Sequence, residues 1–589
     1  MKYNKIFLIQ LLTIACLASG CNSIFRETPF DKLAETQIWT NEKLLDEYTG
    51  SWYRQMDNGF YILVSTTFKN LGEEFEPWFG DQITVGRRDW YQAGYGEILK
   101  GSQSQINGRS RLVWQSAYEQ IRSVNKLIEH ESELPATIHD RILGEAYFFR
   151  AWYYYKLLRR YGGTILVDRT FDPLTEDVKF PRSSFEETVE FIVKNARKAT
   201  TLLPDVHESR NEGRVTKGAA WALAGKTYYW AAGSKFQNAE KDFLGFPTDK
   251  SAEMRKLAAE CYDEVFRLNL YDLIPAAGSN RDETVALYRN IFLTKNSQES
   301  ILEVQHSDDG NFSQGFGHKL DRDAAPPSLT GTNCAYNPTQ NHVDEYRMDN
   351  GLPIDDPASG YDEDNPYEHR DVRFYANILY DGAIWKGHVM DLHYTIVDGE
   401  RIPGADLVAY GTSSTASTTR TGYYMAKFLR ESQQIDTDET YGSSQNYIIW
   451  RFAEILLDYA EMDMLDGRPD GALAKINRIR RRVGMPEYSS VTLDDIKNER
   501  RVELAMEKTT YWDLLRNGVA EEVMCGEENP LFRITIEQEE DGSRTYTTAV
   551  VNGRNNNVRY FAPYQYFWPI SWSDVRYHGV EQNPEWRDI

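Results

Sequence analysis

The sequence predicts a mainly α-helical body built from packed helix pairs, interrupted by long loop insertions and with minor β-hairpins. Two observations predict it. From about Glu42 to Leu515 apolar residues recur at three- and four-residue spacing, and several of these runs carry helix start and stop signals. Between them lie Gly-, Asn-, Asp- and Pro-rich stretches with no helical period.

In chain order, 111–130 places Val113, Ala117, Ile121, Val124 and Ile128 on one helical face. The next helix begins near His139 and stops at Gly162-Gly163, with Lys156, Arg159 and Arg160 in its last turns. It contains "AYFFRAWYYYKLLRRYGG", whose eight aromatics point nearly all round the helix axis. A helix apolar on every side is buried between neighbours, so this run is expected in the core and not on a ligand face. Residues 184–204 open on a Ser184/Glu187 capping pattern and end at Pro204. Helices follow at 216–233, 450–465 and 472–486, the last closed by Gly484 and Pro486. Alanines alternating with bulky residues resemble tetratricopeptide units, but the spacing strays from the constant ~34-residue period of a regular solenoid. A strand pair is expected at "RITIEQEEDGSRTYTT", turning at Asp541-Gly542. The insertions at 307–341, 349–370 and 397–421 are long enough to be expected to be functional or mobile.

The 589 residues carry 66 basic and 89 acidic side chains, a net charge of −23. That field repels phosphate backbones, so nucleic-acid binding is not expected, and a neutral or cationic ligand suits it better. Cys261, Cys334 and Cys525 stand far apart, which excludes a disulfide scaffold or a C-x-x-C metal site. At the N-terminus, Lys2 and Lys5 precede the apolar run 6–17, too short to span a bilayer, and then "LASGC" ending at Cys21. This resembles a lipobox, with the usual leucine one place early at Leu17. It implies export, acylation of Cys21 and anchorage of the mature chain to lipid.

Motifs for catalysis fail. "AGKT" (224–227) lies mid-helix without its leading glycine, His388 and His393 are five apart, and no H-E-x-x-H or G-x-S-x-G occurs. No cofactor is expected. A structural calcium on Asp355, Asp362 and Asp364 is conceivable by residue type, although the loop lacks EF-hand order. The loop aromatics carry more information. Trp78, Trp90, Tyr91 and Tyr95 accompany Asp81, Arg87 and Arg88, and Phe312, Phe316 and Tyr336 sit in the 307–341 insertion. Flat rings pack on sugar C–H faces while carboxylate and guanidinium groups take hydroxyls in pairs. Trp78, Asp81, Arg87, Trp90, Tyr91, Phe312, Phe316 and Tyr336 are therefore the candidate ligand-binding residues.

Nine further stretches fix a resemblance. Among them are "GEAYFFRAWYYYKLLRRYGGTILV" (144–167), "GRVTKGAAWALAGKTYYWAA" (213–232), "NPTQNHVDEYRMDNGLPI" (337–354), "INRIRRRVGMP" (476–486) and "IKNERRVELAMEKTTYWDLLRNG" (496–518). In this order they resemble the SusD/RagB family of outer-membrane nutrient-binding lipoproteins. The resemblance implies a signal peptide at 1–20, a tetratricopeptide-containing helical part at 21–235, and a part at 236–589 with ligand loops and closing helices. It implies capture of oligosaccharides without catalysis, and delivery to a SusC-like, TonB-dependent β-barrel transporter at the cell surface. RagB-like members handle peptides instead, which is the alternative. One departure stands out. The family pattern Glu-Gly-x-Arg reads Glu507-Lys508-Thr509-Thr510 here, and an altered local contact at that helix junction is expected.

Overall fold

A computed structural model of the chain describes residues 35–56, 59–60, 79–86, 109–172, 176, 180–307, 317–329, 334–408, 418–431, 442–526, 528–551 and 559–586. These residues are mostly helical. The principal helices are α1 (Glu42–Arg54), α2 (Arg109–Glu129), α3 (His139–Tyr161), α4 (Phe185–Thr200), α5 (Lys217–Ala231) and α6 (Ser251–Arg267). They are followed by α7 (Phe452–Leu465), α8 (Pro469–Arg482), α9 (Leu493–Glu503) and α10 (Thr509–Arg516). From α2 to α6 each helix packs on the next, and α7 returns against α6 before pairing with α8. Among the described residues, no helix is long and apolar enough to cross a membrane.

The local signals act as the residue chemistry requires. Ser184 and Glu187 form both hydrogen bonds of a capping box at the start of α4. Gly162 ends α3 at φ 78°, a conformation that a side chain disfavours. Within α3, Phe148, Phe149, Tyr154 and Tyr161 are fully buried, and Trp152, Tyr153 and Tyr155 nearly so. Their polar tips are satisfied: the Tyr153 hydroxyl donates to the Trp52 carbonyl and the Trp152 indole to that of Met56, both at 2.9 Å. The helix is central, since Trp152 meets Trp450 at 5.2 Å and Tyr154 meets Phe191 at 4.9 Å.

Close approach of α5 and α6 depends on Gly225, in the "AGKT" stretch that lies mid-helix. A β-carbon there would sit 2.3 Å from Cε1 of Tyr262, whose hydroxyl donates to Asp458 at 2.7 Å. Gly225→Ala is expected to cost about 1–3 kcal/mol through overpacking, despite alanine's better helix propensity. Denaturant titration of the variant checks it.

The strands are short and peripheral. β1 (Ile83–Thr84) pairs antiparallel with β3 (Asn337–Pro338), and β2 (Ser300–Val304) with β6 (Tyr447–Arg451). A four-stranded sheet runs in the order β8-β7-β4-β5, made of β4 (Tyr394–Val397), β5 (Glu400–Pro403), β7 (Phe532–Gln538) and β8 (Arg544–Val550). The expected hairpin is its β7–β8 half, with Gly542 at φ 84° in the turn. The parallel pairing of β7 with β4 adds the other half.

A buried ionic cluster links the C-terminal elements. Arg451 meets Glu299 and Glu503 at 2.8 Å and Glu507 at 2.7 Å, while Arg482 also pairs with Glu299 and Glu503. Arg373 adds Asp371 at 2.7 Å, Glu499 at 2.6 Å and Glu503 at 3.1 Å. All of these side chains are buried.

Candidate functional site

Four of the predicted ligand residues flank one short, tightly fastened segment, 79–86, which itself holds Asp81. Trp78 immediately precedes it, and Arg87, Trp90 and Tyr91 follow it. Every side of this segment is tied down. The Ile83↔Pro338 and Thr84↔Asn337 register joins it to the 334–338 stretch that carries Tyr336. Thr339 donates from its backbone to the Gln82 carbonyl at 2.9 Å and from its hydroxyl to the Asp81 carbonyl. The buried Gln82 amide donates to the Arg501 carbonyl at 3.0 Å and accepts from the Thr510 hydroxyl at 2.6 Å. Arg559 donates to the Gly80 carbonyl at 2.5 Å.

Asn337 is the clasp. Its Nδ2 donates to the Cys334 carbonyl at 3.0 Å, and its Oδ1 accepts from the Arg420 backbone at 3.2 Å. Gly86 lies so close that a β-carbon would fall 2.1 Å from the Cys334 oxygen. Gly86→Ala should therefore open the clasp, with loss of ligand affinity larger than any change in melting temperature; paired calorimetric and thermal measurements check this.

A second junction lies at the other end of the short helix Leu320–Ala324. His318 and Ser443 exchange backbone hydrogen bonds at 2.9 and 2.7 Å, and the Phe60 ring packs 4.9 Å from the His318 ring. His318 Nδ1 accepts from the Leu320 backbone at 3.2 Å, so the proton sits on Nε2, which donates to the Gln445 carbonyl at 3.0 Å. Burial, the neighbouring His306 and Arg430 hold its pKa well below 6.5. Above pH 6.5 neither the folded nor the unfolded form binds this proton, so no penalty exists. Below it only the unfolded form protonates, and stability falls as pH drops toward the folded pKa. Melting curves from pH 7.5 to 5.5 should show that slope, and His318→Gln should flatten it.

Two candidate ligand residues are described, and both face inward. Asp81 forms a 2.7 Å ion pair with Arg501; burial works to raise its pKa, but Arg501 outweighs that and holds it down. Tyr336 is 5% exposed, with its phenol pushed up by burial. The structure thus brings Asp81 and Tyr336 to the base from which the aromatic segments leave. Trp78, Arg87, Trp90, Tyr91, Phe312, Phe316 and Cys21, the residue expected to be acylated, lie outside the described residues. Gln82, Asn337 and Gly86 were missed; the only sequence signal for them was their place beside the aromatic residues.

Asp355, Asp362 and Asp364 are not brought within coordinating reach of one another. Asp362 instead caps its own turn, accepting from the Asp364 backbone and the Asn365 side chain. Among the described residues the one grouping of potential metal ligands is Asp381, Asp391 and His393. There Asp381 is already engaged by Arg544 at 2.7 Å, the Leu392 backbone at 2.8 Å and His393 at 2.9 Å. Ser328, His388 and Asp406 also meet, but the serine hydroxyl donates to Asp406 itself, and His388 uses the same Nε2 toward both partners. A nucleophile relay needs the carboxylate and the hydroxyl on opposite ring nitrogens.

A cleft of about 70 Å³ opens between α3, α5, β6 and α10, walled by Trp152, Tyr155, Trp450 and Trp512. Lys508, at the departure from the family pattern, lines it with φ 62°. The end of the aromatic run is thus core that also forms a cleft wall.

Two family models match the chain: the SusD family over residues 298–586, and "Starch-binding associating with outer membrane" over residues 27–229. A SusD-like protein of Bacteroides ovatus is 23% identical, with 87% of this chain and 82% of the relative covered. A SusD-like protein of Bacteroides fragilis has the same fold at a TM-score of 0.72 and 24% identity, over 95% of this chain and all of that one. A SusD-like carbohydrate-binding protein of the same species follows at TM-score 0.69 and 22% identity, over 91% and 98%. Helix order, fold and both family models agree, and the chain belongs to the SusD family, whose N-terminal model is described as starch-binding in association with the outer membrane.

Proposed function

We propose that the chain captures oligosaccharides at the cell surface and delivers them to a SusC-like, TonB-dependent β-barrel transporter, tethered to the outer membrane through acylated Cys21. The observation that carries this reading is the β1–β3 clasp, which fastens the 79–86 segment, flanked in sequence by Trp78 and by Trp90 and Tyr91, to the stretch that carries Tyr336. Trp78, Trp90, Tyr91, Phe312 and Phe316 are assigned the stacking contacts, Arg87 hydroxyl pairing, and Asp81 and Tyr336 the support beneath them. The carbohydrate-binding relative with the same fold supports a glycan as ligand. The chain itself is assigned no turnover.

A glycan array followed by calorimetry on the mature chain tests the reading. Trp90→Ala or Trp78→Ala should weaken binding about fivefold, since losing one stacked ring forfeits on the order of 1 kcal/mol. Saturable binding of peptides alone would overturn it in favour of a RagB-like importer. Cys21→Ala should move the protein from the membrane fraction to the soluble one, because anchoring rests on the acyl chains.

A further inference from the structure

The cleft beside α3 has a chemistry distinct from the rest of this acidic chain. Its wall carries five cations, Arg159, Lys226, Arg500, Lys508 and Arg516, against three carboxylates, Glu454, Glu507 and Asp513. Most of these charges are already paired: Lys226 with Glu454, Arg500 with Asp513 at 2.7 Å, Arg516 with Glu461 at 2.8 Å, and Glu507 with Arg451 and Lys427 outside the wall, both at 2.7 Å. Arg159 is left over. Its guanidinium carbon lies 4.5 Å from the Tyr155 ring centre and 4.2 Å from that of Trp512, and its buried Nε has no hydrogen-bond partner. Among the described residues no carboxylate pairs with it. Aromatic faces fix the guanidinium plane while leaving its edge free, the arrangement that suits bidentate donation to an oxyanion.

Lys508 reinforces the point. Its φ of 62° is the left-handed conformation that favours glycine, yet a lysine is held there, with its ammonium 4.3 Å from the Tyr447 ring. Backbone strain of this kind concentrates at functional sites. Size narrows the ligand. About 70 Å³ is several times the ~10–15 Å³ that admits one water, and far short of the ~300 Å³ at which pockets for whole small molecules begin. A charged substituent fits, and a sugar ring does not.

We infer that this cleft binds the carboxylate or sulfate group of an acidic saccharide, with Arg159 as the bidentate donor and Lys508 as its charge partner. The saccharide part of the inference rests on the glycan-capture reading above; the oxyanion part stands on the cleft alone.

The test is calorimetric titration of the mature chain with sodium sulfate, sodium glucuronate, glucose and trigalacturonate. Saturable binding of the first two but not glucose is expected, weakened at least tenfold in Arg159→Gln at unchanged melting temperature. If that variant misfolds, Arg159→Lys keeps the charge, loses the planar fork and should bind more weakly still than wild type. Lys508→Gly should lose three- to tenfold in affinity with the melting temperature unchanged or raised. Failure of both anions to bind, or equal affinity in the Arg159 variants, overturns the inference. Binding of the free anions with exclusion of trigalacturonate overturns its saccharide part. Arg159-dependent sulfate binding in a chain that takes no glycan keeps the oxyanion site and sinks the capture reading. Neutral-glycan binding without anion binding does the reverse.

Discussion

Glu503→Ala is expected to lower the unfolding free energy by about 3–5 kcal/mol, the cost of removing one partner from a buried ion cluster. Glu503 is fully buried among Arg482, Arg451 at 2.8 Å and Arg373 at 3.1 Å. Its removal leaves three guanidinium groups with less anionic charge in a site that water does not reach. The denaturation midpoint in urea reads the effect. Burial works to raise the Glu503 pKa, but the three arginines outweigh it and hold the carboxyl well below the ordinary range. The sign follows: the folded pKa is depressed, so the stability supplied is complete above the unfolded value near pH 4.3 and is lost as pH falls toward the folded pKa. Glu503→Gln should therefore differ most from the parent near neutral pH and least in strong acid.

A fragment ending at residue 235 is expected not to fold cooperatively, although the family resemblance divides the chain there. Helix α3 is apolar on all sides and needs partners from beyond that boundary. Trp152 packs on Trp450, Tyr161 on Trp568 at 6.4 Å, and the Arg160 carbonyl accepts from the Trp568 backbone at 2.6 Å. In α5, buried Lys226 finds its carboxylates in Glu454 and Asp458, the latter at 2.6 Å. Cut at 235, that ammonium has no counter-charge, and large aromatic faces meet water. Burying each such side chain is worth about 1.5–3 kcal/mol, so several lost together exceed the ~5–15 kcal/mol by which domains are ordinarily stable. Circular dichroism with a thermal scan decides it: a sharp transition in the fragment would refute the expectation.

Helices α2, α3, α4, α5, α7 and α8 were legible because their signals are local. Apolar spacing, the Ser184–Glu187 box and the Gly162 stop each act within one or two turns. The β7–β8 hairpin was legible through Asp541-Gly542 for the same reason, whereas its parallel docking on β4 joins residues with no sequence periodicity in common. The two-residue ladder at Ile83 and Thr84 is too short to show any period. Asp81 shows the limit at the site. Residue type alone suggested a sugar contact, but its carboxylate belongs to Arg501, 420 positions along the chain. Arg159 was read as a helix-end charge, which its place in α3 supports; its lack of a counter-ion could emerge only after α10 had packed beside it.

The stretches that fix the family also have a physical meaning. Glu299, Asp371, Arg373, Arg451, Arg480, Arg482, Glu499, Glu503 and Glu507 come from five of them, 297–305, 365–382, 448–464, 476–486 and 496–518, and meet in one buried ionic cluster. Apart from the Asp371–Arg373 pair, each stretch supplies charge that meets its counter-charge on another.

The Asn337 clasp separates two kinds of heredity. Residues 87–108 and 330–333 adjoin the β1–β3 ladder, in which Thr84 pairs with Asn337 and the Asn337 side chain holds the Cys334 carbonyl. Such segments can be exchanged between relatives as cassettes, with the scaffold bearing little of the cost.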